Sequence, residues 1–232
     1  MLSSLELHEA RVFSQNGEDG VIEAIFREIG TTDRFCVEFG VGDGRECNTR
    51  KLWELEGWTC LLMDNQHEGG LIHKEFITAE NINALFDKYR VPREFDLLSI
   101  DIDGNDYWVW KALEGYRPRV VVVEYNASVP VGESRTIRYD PQFQWQGDDY
   151  FGASLQALAG LGCRRGYQLV YCEKKGVNAF FVAKKQLAGK GLHSDLEALY
   201  RPPSYGPGGK GHPRSPREMP FVGQPDPPNV IP

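Results

Sequence analysis

Residues 120–125 read VVVVEY, an unbroken apolar run closed by an acid, and this run constrains the fold more than any other feature. A strand with one wet face alternates apolar and polar residues. Four consecutive valines instead require burial on both faces, the condition of a parallel sheet covered by helices on each side. Similar runs occur at residues 35–39 (FCVEF), 59–63 (TCLLM), weakly at 76–78 (FIT), and at 97–102 (LLSIDI). Segments of helical period separate them at 47–55, 81–89 and 106–113. Ahead of the first run, Val21, Ile22, Ile25, Phe26 and Ile29 share one helical face, with Asn16 or Ser14 as the predicted cap. Residues 167–172 and 179–183, joined by a short loop containing Gly176, read as an antiparallel hairpin. The expected fold is α/β: a Rossmann-like, seven-stranded, mostly parallel sheet with a C-terminal antiparallel hairpin and helices on both faces.

Composition then limits the function classes. The chain has 232 residues, enough for one domain with a buried core, expected over residues 1–200 with an N-terminal helix. Residues 201–232 hold ten of the fourteen prolines, so they are expected to be an extended or disordered, solvated tail. Docking of that tail over the site or against a neighbouring subunit is the less favoured alternative. The formal net charge of −7 argues against a nucleic-acid partner, which would need a basic face. No apolar run approaches the roughly 20 residues of a membrane-spanning helix. The first residues lack a signal-peptide pattern, so a cytoplasmic location is expected. Five cysteines without C-x-x-C spacing read as core packing rather than as disulfides or metal ligands.

In an open α/β sheet, ligands bind beyond the carboxyl ends of the strands. The first run ends in Glu38, Gly40, Gly42 and Gly44, an E-x-G-x-G-x-G turn. A dinucleotide site would want a further glycine where Arg45 stands. An acid beside a pyrophosphate would be repulsive, whereas a cofactor bearing a sulfonium and an ammonium favours it. Asp64 closes the second run, where a carboxylate can accept the hydroxyls of a ribose. Ala79, Glu80 and Asn81 follow the third, as candidates for an adenine edge or a helix cap. Asp101 and Asp103 project to one side of an extended chain, as do Glu124 and Asn126. These groups form a candidate catalytic centre, with Asp101 and Glu124 as acid–base groups. All four are candidate ligands of a hard cation such as Mg²⁺. The long connection from Asn126 to Tyr150, with Arg135, Arg138, Tyr139, Phe143 and Trp145, reads as a substrate lid or a satellite apolar cluster.

Over residues 14–184 the chain resembles class I S-adenosylmethionine-dependent methyltransferases, and more narrowly the FkbM-type family. The resemblance lies in SQNGEDG at 14–20, the 38–44 turn, residues 101–106 and GVNAFF at 176–181. It implies S-adenosylmethionine as cofactor, with Glu38, Gly40 and Gly42 at its methionine end. Asp64 would bind the ribose and residues 79–81 the adenine. Metal-dependent relatives such as catechol O-methyltransferase use an Asp-Asn pair after the fifth strand, here replaced by Glu124-Tyr125-Asn126. The implied reaction is methyl transfer to a small-molecule acceptor through an oxygen nucleophile; a homodimer is the candidate assembly. The competing readings are a nicotinamide-dependent oxidoreductase and a catalytically silent nucleotide-binding module.

Overall fold

The computed structural model describes residues 2–187 and 195–222. Val120, Val121, Val122 and Val123 are fully buried inside β5 (Arg117–Glu124). Val121 and Val123 face one apolar layer; Val120 and Val122 face the other. The first layer is supplied by α3 (Ile82–Lys88), α4 (Asp106–Ala112) and α5 (Leu155–Arg164). The second is supplied by an N-terminal 3₁₀ segment and α1 (Glu18–Ile29). Burial on both faces is what the valine run demands.

The remaining strands are β1 (Phe35–Phe39), β2 (Thr59–Asp64), β3 (Ile72–Lys74), β4 (Glu94–Ile100), β6 (Tyr167–Cys172) and β7 (Asn178–Ala183). They form one seven-stranded sheet in the order β3-β2-β1-β4-β5-β7-β6. β1 to β5 pair in parallel, while β7 runs antiparallel to both β5 and β6. The fold is therefore the expected mostly parallel, Rossmann-like sheet closed by a hairpin. The chain winds outward from β1 to β3, then returns to β4 on the other side of β1. The switch in strand order opens a crevice beyond the ends of β1 and β4. Among the described residues no helix is long and apolar enough to cross a membrane.

Several local expectations differ. The third strand is Ile72–Lys74, a short polar edge strand, and residues 76–78 lie beyond it. The second helix, α2 (Arg50–Leu55), begins three residues later than predicted, because Glu38 gathers the backbone at Asn48 and Thr49. Gly17, with φ 105°, stands at the N-cap of α1 in place of Asn16 or Ser14. The Ser14 hydroxyl still accepts from the Asp19 N–H, and Asp19 in return accepts from the backbone of Val12, Phe13 and Ser14. Cys36 and Cys60 oppose each other on β1 and β2 and form a disulfide, with Cα atoms 4.6 Å apart. This corrects the core-only reading of those two; Cys47, Cys163 and Cys172 are free.

The proline-rich segment departs most from expectation. As far as Val222 it is extended, as expected, and most of its residues are exposed, yet several of them dock on the body. The Tyr125 hydroxyl donates to the Arg201 carbonyl over 2.7 Å, and the Val222 N–H donates to the Ser134 carbonyl over 2.8 Å. Met219 is buried with Ile137 and Tyr150. His212 packs edge-on against Trp145, ring centroids 4.5 Å apart. The residues beyond Val222 lie outside the described part.

Candidate functional site

A cleft of about 260 Å³ opens at the strand-order switch, walled by Gly40, Gly42, Asp64, Phe76, Asp101 and Asn105. Its floor is set by close backbone contact. Gly40 has φ 79°, and a Cβ there would fall 1.4 Å from the Asp101 carbonyl oxygen. Glycine is the only residue that fits both conditions.

Asp64 sits where the sequence placed it. Its Oδ2 accepts from the Gly42 N–H, and its Oδ1 from the N–H groups of Gln66 and His67 and from the His67 ring. Burial works against its charge, but the bonds from Gln66 and His67 outweigh it and hold the carboxyl below its ordinary range. An ionised carboxylate with room left on Oδ2 can accept one ribose hydroxyl; a second needs the half-exposed His67 ring to swing aside.

Glu38 does not line this cleft. It is 3% exposed, and both its oxygens are occupied by Asn48, Thr49 and Ser99. Burial pushes its carboxyl up, partly offset by those bonds. Those bonds hold the turn that carries Gly40 and Gly42.

Residues 79–81 are likewise outside the cleft. The Ala79 N–H donates to the Tyr139 hydroxyl, which is also bonded to Glu80, and Asn81 bonds to Thr78 and Phe76. They tie the long loop to the start of α3. Two cleft-wall residues that the sequence reading did not single out are Phe76, 44% exposed, and Asn105, whose Oδ1 is buried without a partner. An exposed phenylalanine on a cleft wall has no signature in sequence. Asn105 stands within the acidic 101–106 turn, immediately before α4.

Asp101, Asp103 and Glu124 do converge: one oxygen from each lies within 4.8 Å of the others. Asp103 is exposed at the tip, with φ 53°. Burial, and then the charge of Asp103, pushes Asp101 well above the carboxylate range; burial and Asp101 do the same to Glu124. The cluster therefore holds protons unless a cation compensates. Asp106, behind it, accepts from the Ile102 and Gly104 N–H groups and is pushed up to about 6, chiefly by burial.

Asn126 is not part of this cluster. Its Nδ2 donates to the carbonyls of Asp149 and Phe151, and its Oδ1 accepts from the Ser128 N–H. Its amide is committed to anchoring the long loop. That loop packs as a satellite cluster of Ile137, Tyr150 and Met219 with Phe143 against it. Arg135 lies over the Phe221 ring and donates to the Met219 carbonyl, so it holds the C-terminal strap rather than a substrate.

No family model matches the chain, and no curated protein does. Among solved structures it is similar to the pyocyanin biosynthetic protein PhzM, with 15% identity, TM-score 0.37, and coverage of 70% of this chain and 53% of that one. It is also similar to the CMeT domain of the citrinin polyketide synthase, with 11% identity, TM-score 0.36, and coverage of 71% and 50%. The chain thus spans about half the length of each. At these scores the likeness carries no argument, and the fold rests on the sheet order itself.

Proposed function

We propose that this chain binds S-adenosylmethionine in the switch-point cleft and transfers its methyl group to a hydroxyl or carboxylate oxygen of a small molecule. The observation that carries this reading is the juxtaposition of the Gly40–Gly42 floor and Asp64 with the acids Asp101, Asp103 and Glu124. The cofactor, when bound, supplies a sulfonium-activated methyl group.

The chain's own residues do the rest. Gly40 and Gly42 let the backbone approach the methionine portion. Asp64 accepts from the ribose, and Phe76 and Asn105 take the base. Holding donor and acceptor in attack geometry lowers the barrier by up to roughly 7–11 kcal/mol. Asp101 or Glu124, once ionised, removes the acceptor's proton as the methyl group is transferred. Divalent-metal assistance by Mg²⁺ falls on Asp101, Asp103 and Glu124, with Asn126 excluded by its own hydrogen bonds.

Calorimetric titration with S-adenosylhomocysteine and, separately, NAD tests this. Saturable binding of the first, weakened in Asp64→Ala, is expected. Binding of NAD alone would overturn the reading in favour of a nicotinamide-dependent oxidoreductase.

A further inference from the structure

Glu124 and Asn178 are register partners across β5 and β7, so their side chains leave the same face of the sheet as close neighbours. Asn178 is 3% exposed. Its Nδ2 donates to Glu18 Oε1 over 2.9 Å. A carboxylate can only accept, so this bond fixes the amide with nitrogen toward Glu18 and oxygen away from it. That oxygen, Asn178 Oδ1, is buried and has no hydrogen-bond partner, and neither has Glu124 Oε2 beside it. Buried polar atoms without partners are rare and call for an explanation.

Both orphaned atoms are oxygens: Glu124 is one of the three carboxyl groups that each place an oxygen within 4.8 Å of the others, and Asn178 is its register partner. What is missing is positive charge. A donor set made only of oxygens, three carboxylic and one amide, suits a hard cation rather than a thiophilic one. Glu18 is itself held in place by the backbone and side chain of Asn16. Both belong to the SQNGEDG stretch, which the cofactor cleft leaves unused.

We propose that Asp101, Asp103, Glu124 and Asn178 form a binding site for a hard divalent cation of the Mg²⁺ or Mn²⁺ class, with Glu18 as the residue that positions Asn178. The hairpin thus supplies the neutral ligand that the sequence had assigned to Asn126. Use of the ion in methyl transfer rests on the proposed function; binding of the ion does not.

Terbium luminescence on the full chain tests the site, since Tb³⁺ occupies hard-cation sites and is sensitised by nearby aromatic rings. Tyr205, close enough for its hydroxyl to feel the charge of Glu124, is a local antenna. Saturable emission competed by Mn²⁺ and Mg²⁺ is expected. Asn178→Ala and Glu18→Gln should weaken binding roughly 10–100-fold, the usual effect of disturbing a ligand's support. Asp103→Asn should weaken it as strongly without loss of fold, because Asp103 is exposed and its φ of 53° suits asparagine.

Glu18→Gln should also lower the melting temperature, because it puts a donor where acceptors are needed. The exposed Asp103→Asn is the variant in which binding falls while the melting temperature holds, a split that a purely structural role would not give. Emission that is not competed, or that is undiminished in Asp103→Asn and Asn178→Ala, overturns the proposal. S-adenosylhomocysteine binding measured on the same samples separates the two readings: binding of it without terbium removes the cation site alone.

Discussion

The carbonyl oxygen of Asp101 occupies the place where a side chain on Gly40 would begin, 1.4 Å from an added Cβ. The Asp101 N–H also donates to the Phe39 carbonyl, and the Gly40 N–H to the Met63 carbonyl. The ends of β1, β2 and β4 are thereby locked around one residue. Gly40→Ala must displace backbone and adopt a positive φ, so a loss of well over about 1 kcal/mol is expected. The urea midpoint should fall, and S-adenosylhomocysteine should no longer bind. An unchanged midpoint would show that the cleft floor is not built this way.

The sheet was legible because its signal is local and redundant: the valines of β5 and the apolar runs of β1, β2 and β4 each require two covered faces. β3 was misplaced because a three-residue edge strand, Ile-His-Lys, carries no apolar pattern; only its pairing with β2 defines it. Glu38 and Asn126 stand at strand ends as expected, with their polar atoms met by neighbouring backbone. Sequence fixes which face an acid leaves, not whether ligand or backbone meets it. The strap was unreadable for a related reason. Proline and glycine preclude a core of their own, but do not reveal that Met219 and His212 fit an existing apolar surface.

The reassignment of Glu38 has its own test. Its Oε2 accepts from the Thr49 N–H at 2.9 Å and from the Thr49 hydroxyl, and its Oε1 from the Asn48 N–H at 2.8 Å. Glu38→Gln puts a donor where acceptors are needed, at a cost of about 1–3 kcal/mol. The expected result is a lowered urea midpoint with modestly weakened S-adenosylhomocysteine binding. A large loss of S-adenosylmethionine affinity at unchanged stability would restore the direct contact.

Glu173 gives a pH dependence of defined sign. It is fully buried in the β6–β7 turn and accepts from the N–H groups of Lys175, Val177 and Asn178. Burial, with those bonds opposing it and Glu18 adding to it, pushes the carboxyl up to about 7. In the unfolded chain it titrates near 4.3. Between these values the folded state keeps a proton that the unfolded state has released. The stabilisation is therefore complete below the unfolded value and is lost as pH rises through about 7, at most ~1.4 kcal/mol per pH unit. Urea midpoints measured across this range should fall with rising pH, and Glu173→Gln should flatten the slope. A slope identical in the variant would assign the dependence to other groups.

Ending the chain at Tyr200 tests whether the strap is part of the folded body. The cut removes His212 from its contacts with Trp145 and Phe151, whose ring centroids lie 4.5 and 5.7 Å away. It also uncovers the Ile137–Tyr150 cluster and removes the hydrogen bonds that the strap makes with Tyr125, Ser134 and Arg135. The loop between Asn126 and Tyr150 then loses one of its two walls. Faster proteolysis within that loop, red-shifted tryptophan emission and a lower melting temperature are expected. S-adenosylhomocysteine binding should persist, because among the described residues none beyond Phe143 lines the cleft. Proteolysis and melting indistinguishable from the full chain would mean that the strap contributes nothing to the body, and that the loop is held by Asn126 and its own cluster alone.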